Sequence, residues 1–173
     1  MPYTGAIKFW KVSVMKQNQL ANWLRSITIF ASVLGVVFIF YLVPYIGKSF
    51  VHNYPEFSYV YWPYVLWAGA VVIPCYLALY QLWKICGEIA RDNSFSHANA
   101  KALHTISGLA FFDTLLMFLV SIVFFFLNMI HPALLACAVL ISVFGLSIAL
   151  VSAVLSHWVE KGCSLKEEND LTI

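Results

Sequence analysis

Charged side chains are scarce in this sequence: Asp, Glu, Lys and Arg make up only 10% of its 173 residues, where a soluble domain carries about 25%. With 62% of the residues hydrophobic, too little polar surface remains to surround one soluble core. The bilayer is the natural solvent. The net charge of +2 and the scatter of the basic residues leave no patch for direct nucleic-acid binding. Gly-rich phosphate loops and nucleophile elbows are missing, and so is any CxxC pair. Cys75 and Cys137 fall inside apolar runs, Cys86 follows the second run and Cys163 lies near the end, so a disulfide oxidoreductase would lack its exposed thiols. His97, His104 and His157 share no zinc spacing with Cys86 and Cys163, and they cluster near span ends rather than where haem would sit. No metal site, no cofactor and no enzymatic activity are expected.

Long apolar runs are what the chain has instead. Crossing a hydrocarbon core of roughly 30 Å takes about 20 apolar residues in a helix, and four stretches qualify: about 26–46, 59–82, 106–129 and 132–158. Helices are required, because a lone chain without an alternating strand pattern has no other way to pair its backbone in lipid. Lys8, Lys11, Lys16 and Arg25 precede the first span, Lys84, Arg91 and Lys101 lie between the second and third, and Lys161 and Lys166 follow the fourth; Lys48 alone is on the other side. This bias places both termini and the central connector in the cytoplasm. Tyr41, Tyr45, Tyr54, Tyr59, Tyr61, Trp62, Tyr64 and Trp67 crowd the outer end of the first hairpin, where 47–58 reads as a short loop, and Trp10, Trp23, Trp83 and Trp158 mark the inner interface. The segment Ile7 to Leu24 reads either as an in-plane interfacial helix or as a basic flank extending the first span, which is an uncleaved signal anchor.

The connector, residues 83–105, reads as helix, turn, helix. The second span should run on through Glu88 and Ile89, and Asp92-Asn93 supplies turn chemistry, since both residue types tolerate left-handed backbone angles. Ser96 is suited to cap a helix beginning at His97, with Ser94 the alternative. Phe95 precedes that cap, and Asn99 in the first turn can bond back to the loop backbone. After Trp158 the tail, 159–173, is acidic and ends in Leu171-Thr172-Ile173. It is either a solvated end or a short peptide that pairs with the connector or a partner.

Glu88-Ile89, Phe95-Ser96 with Asn99 three positions on, Leu103 and Ile106, together with the ending Leu165-Lys166-Glu167-Glu168-Asn169-Asp170-Leu171-Thr172-Ile173, resemble the bacterial domain-of-unknown-function family 2975. The similarity extends from the first span to the last residue. Asp92 and Ser94 stand where many relatives have Gly and then Pro. The resemblance implies a four-span bacterial membrane protein without an established activity. It also implies an association with a small helix-turn-helix DNA-binding regulator, whose gene often lies nearby.

Two intramembrane features carry the other candidates. Asp113 is the one ionisable residue inside a span, where a carboxylate costs about 2.5–3.5 kcal/mol on insertion scales. It should be protonated, face the bundle interior or find a donor such as Ser107, Thr114 or Ser121. Pro74 in the second span removes one helix hydrogen bond and frees the carbonyl of Ala70, which predicts a kink. Small residues recur along the fourth span at Ala138, Ser142, Gly145, Ala149, Ser152 and Ala153, with Ser142, Gly145, Ala149 and Ala153 singled out as the packing face. Such a face serves equally inside the four-helix unit or in a homodimer.

These readings predict an all-α, integral membrane four-helix bundle in one domain of the inner membrane, with both termini cytoplasmic. The predicted role is regulatory: a connector and tail that present Glu88, Phe95, Ser96, Asn99, Glu168, Asn169 and Asp170 to a cytoplasmic partner such as the small regulator. The alternative is a small dimeric transporter or proton-coupled carrier that uses Asp113 and the Pro74 kink.

Overall fold

The computed structural model describes residues 3–53, 55–91, 93–130 and 132–170, without the side chains of residues 3–18, 50, 57 and 170. Tyr54, Asp92 and Leu171-Thr172-Ile173 lie outside the described residues, as do the side chains of Ile7, Phe9, Trp10, Val12, Met15 and Asp170. Helix α1 spans Tyr3–Val37 and passes through a π turn, Phe38–Leu42, into α2, Val43–Asn53. A 3₁₀ turn, Pro55–Val60, leads to α3, Tyr61–Ala90, and then come α4, His97–Phe126, and α5, Pro132–Asp170. Among the described residues, four segments are long and apolar enough to cross a membrane: Gln19–Asn53, Ser58–Ala90, His97–Phe126 and Pro132–Asn169. The all-α, four-span architecture is therefore the one that run length predicts.

The helices begin and end elsewhere than the apolar runs do. Because α1 starts at Tyr3, the segment Ile7 to Leu24 is continuous with the first span rather than a separate in-plane helix. The expected outer loop at 47–58 is largely helical, taken up by the end of α2 and the 3₁₀ turn. The π turn falls just before Pro44, which has no N–H to give to Phe40; the N–H of Val43 bonds instead to the carbonyl of Phe38, five residues back. At 30 residues, α3 and α4 are each about 45 Å long, and α5 at 39 residues is about 58 Å. All three outrun a hydrocarbon core of roughly 30 Å.

Packing runs along a row of neighbours. α1 lies against α3, α3 against α4, and α4 most extensively against α5. Between α1 and α3, Tyr76 donates its hydroxyl to the carbonyl of Ser32 at 2.6 Å, opposite Gly35, where a Cβ would come within 2.9 Å of that hydroxyl. Between α3 and α4, Trp67 meets Phe124 edge to face, and Ile85 packs with Ala102 and Ile106. Large apolar side chains such as Phe40, Phe126 and Phe144 are left exposed on the outside, as a lipid solvent allows.

The reversal from α4 to α5 rests on Asn128, whose φ of 53° is the one positive value among the described non-glycine residues. Its N–H bonds to the carbonyl of Phe125 at 3.0 Å, and the N–H of Met129 reaches that of Phe124 at 2.8 Å. This pair of bonds is the Schellman pattern, and Asn replaces the usual Gly because its side chain tolerates left-handed backbone. It sets α5 antiparallel to α4. The seam between them is lined by Ala138, Ser142, Ala149, Ser152 and Ser156, all buried, with Gly145 facing Thr114. Ser107 donates to the carbonyl of Ala149, and Ser156 donates to that of Ala100, each at 2.8 Å. Small side chains let two helix backbones approach this closely, and hydroxyls supply bonds that lipid cannot. Ser142, Gly145 and Ala149 thus occupy the expected packing face, inside the unit against α4. Ala153 is exposed instead, because the buried positions step by four and three in turn, which carries the seam through Ser152.

Candidate functional site

Beyond the apolar part of the molecule, the α3–α4 connector and the far end of α5 come together. The connector is fixed by short-range bonds. Ser96 has extended backbone and caps α4, its Oγ accepting the N–H of Asn99 at 3.2 Å. Asn99, buried, sends its side-chain N–H groups back to the carbonyls of Asn93, at 3.2 Å, and Ser94, at 2.9 Å. Glu88 accepts the side-chain amide of Asn93 at 2.8 Å and lies 3.8 Å from Arg91. Ser96 is the cap, and Asn99 bonds back to the loop, as expected. Asn93 departs from expectation: its φ is not positive, and it holds the turn through its amide and its own N–H, which bonds to the carbonyl of Glu88 at 3.0 Å.

The end of α5 closes on this connector. Past Trp158 the chain stays helical, since Glu, Lys and Leu are good helix formers, and the turns that follow place Glu160, Cys163 and Glu167 along one side. His97, at the first position of α4, fits between the two carboxylates. Its Nδ1 lies 2.9 Å from Glu160 Oε1 and its Nε2 3.1 Å from Glu167 Oε1. The hydrogen bonds to Glu167 and Glu160 raise the pKa of His97 above the usual histidine value. Cys163, buried, points its thiol at the same Glu167 oxygen from 4.0 Å. Phe95 lies over Gly162, where an added Cβ would come within 2.8 Å of its ring, yet the ring remains 57% exposed. Glu168 and Asn169 sit on exposed flanks of the last turns.

Sequence reasoning offered a tail paired with the connector, but it did not single out Glu160 and Glu167 as the partners of His97 and Cys163. His97, Cys163 and Glu167 bring one ligand atom each within 4.8 Å of one another, although no spacing among the histidines and cysteines resembles a metal motif. The available signal was the i, i+3, i+7 spacing of Glu160, Cys163 and Glu167, which puts them on one helix face once the tail is read as helix.

Inside the membrane, Asp113 meets Cys75 rather than Ser107, Thr114 or Ser121. The Cys75 thiol donates to Asp113 Oδ2 at 3.3 Å, while Ser121 bonds to the carbonyl of Met117 in its own helix. Asp113 Oδ1 is buried without a hydrogen-bond partner. The carboxyl borders a cavity of about 550 Å³ between α3, α4 and α5, and Pro74, Cys75, Thr114, Gly145 and Ser152 line it too. The structure therefore brings Pro74 and Asp113 to one place.

A family model described as "Protein of unknown function (DUF2975)" matches residues 45–173. A protein of Bacillus subtilis (strain 168), described as "Uncharacterized membrane protein YoaS", is 27% identical over 135 residues, which are 77% of this chain and 84% of that protein. No solved structure matches.

Proposed function

The chain belongs to the family of unknown function whose model spans its last three helices, and we propose that this multi-pass membrane protein works as an interaction module with a cytoplasmic head. Four membrane-length helices anchor it. The excess of Lys and Arg at the connector end and beside both termini favours that end for the cytoplasm. The observation that carries the proposal is the placement of His97 between Glu160 and Glu167. It ties two segments distant in sequence into one ordered head, so a partner meets a preorganised surface and binding costs less ordering. Phe95, held against Gly162 but exposed, is the aromatic anchor such surfaces use. The partner is a small helix-turn-helix regulator of the kind the family resemblance implies, retained at the membrane by protein contact and not through its DNA.

The test is co-expression of the full chain with a tagged small helix-turn-helix regulator of that kind. The regulator should sediment with membranes. Phe95→Asp should cut the membrane-bound fraction about tenfold, equivalent to 1.4 kcal/mol of binding. Equal sedimentation with Phe95→Asp, or with no membrane protein expressed, would refute the proposal.

One observation favours a second reading, a small proton-coupled carrier. Asp113, with a free carboxylate oxygen, borders the cavity beside Pro74, where the α3 ladder lacks a donor. If that reading holds, Asp113→Asn abolishes pH-driven solute flux in reconstituted vesicles. Flux equal to wild type removes it.

A further inference from the structure

We propose that His97, Cys163 and Glu167 form a binding site for a single zinc-like divalent transition-metal ion, with Glu160 as the carboxylate that positions the histidine. The ligand atoms come from two helices and lie within 4.8 Å of one another. Bonds of about 2.0–2.3 Å from a tetrahedral ion put neighbouring ligand atoms roughly 3.3–3.8 Å apart. The observed 3.1 Å from His97 Nε2 to Glu167 Oε1 and 4.0 Å from that oxygen to Cys163 Sγ straddle this range. The third pair, His97 to Cys163, lies within 4.8 Å, so closing on an ion draws the histidine toward the thiol, and His97 and Glu167, both exposed, are free to move. Cys163 is the fixed point.

The chemistry of the set is selective. One imidazole, one thiol and one carboxylate suit zinc or cobalt and are poor for magnesium or calcium, which take oxygen ligands. Glu160 adds the feature common behind metal-bound histidines: a carboxylate on the other ring nitrogen, here at 2.9 Å, fixing tautomer and ring direction. Cys163 and Glu167 stand at i and i+4 on one face of α5, and His97 brings the third ligand atom to them from α4. Three protein ligands leave a fourth position for water or a partner's side chain. The site does not depend on the regulator proposed above, and its test needs no partner.

The full chain, purified in mild detergent and stripped with chelator, is titrated with Co²⁺. One equivalent should bind with the ligand-field spectrum of four-coordinate cobalt and a thiolate-to-cobalt charge-transfer band, and Zn²⁺ should displace it. Cys163→Ser should remove the charge-transfer band, and Cys137→Ser should leave it. Glu160→Gln should weaken binding about ten- to a hundredfold while keeping the band, and Glu167→Gln should weaken it with helicity unchanged by circular dichroism. Absence of cobalt uptake by helical protein would overturn the assignment. So would a band that survives Cys163→Ser, or one lost in His157→Ala but retained in His97→Ala, which would move the ion to the neighbouring groove beside His104 and His157.

Discussion

Gly145→Leu is expected to destabilise the α4–α5 hairpin by about 2–4 kcal/mol, the largest effect of any single change in the membrane-embedded part. A Cβ at Gly145 would already run into the hydroxyl of Thr114 and sit 3.5 Å from its Cβ, so a leucine has no room unless the backbones separate. Overpacking of this kind costs about 1–3 kcal/mol. Separation also strains the bonds from Ser107 to Ala149 and from Ser156 to Ala100, and interhelical hydrogen bonds in membranes average about 0.6 kcal/mol. Reversible unfolding in mixed micelles reads the loss directly. Ala153→Leu, on an exposed position of the same helix, should fall within about 0.5 kcal/mol of wild type. Removing the hydroxyl with Thr114→Ala should make Gly145→Ala tolerable. A Gly145→Leu protein as stable as wild type would mean that the seam is not where stability lies.

The second large effect is expected at Asn99, in the connector. Asn99→Ala removes the donor from two loop carbonyls and opens space at a side chain that is 3% exposed. A buried acceptor left unpaired costs about 1–3 kcal/mol. Asn99→Asp should be worse, because it turns an acceptor toward the carbonyls of Asn93 and Ser94. The readout is amide exchange across 91–100, which should speed up while exchange in the middle of α3 stays slow. Ser96→Ala removes the cap and costs about 1 kcal/mol. The two changes share one network through the Asn99 N–H, so their combined effect should fall short of the sum. Unchanged exchange in Asn99→Ala would show that the connector is held by something other than these bonds.

How much of this was legible in the sequence follows from the range of each interaction. The four spans were readable because hydropathy is summed over some 20 neighbouring residues, and Ser96 and Asn99 because a helix cap acts over three to six positions. The α4–α5 seam was readable as a stripe of small residues that held both Ser152 and Ala153; which of those adjacent positions is buried, Ser152 and not Ala153, depends on how α5 is turned against α4. Long-range partnerships were readable only in outline, as a tail offered as one partner for the connector, and not residue by residue. Cys75 and Asp113 are 38 residues apart, and His97 lies 63 and 70 residues from Glu160 and Glu167. Their meeting depends on how far each helix is slid along and turned about its axis, which residue types do not encode locally. The extension of α5 past Trp158 was the hinge of the misreading. While the tail counted as a solvated end or a short peptide, its acids had no common face.

The unbroken run of α5 from Pro132 to Asp170 has a mechanical consequence. Counted from Gly145, near the middle of the apolar part, the helix projects 25 residues to Asp170, an arm of about 37 Å. A ten-degree rocking of that rod about its middle would sweep the tip through roughly 6 Å, more than one helical turn of about 5.4 Å. Because His97 belongs to α4 and both of its carboxylates to α5, any such rocking of one helix against the other is geared straight into the distance between them.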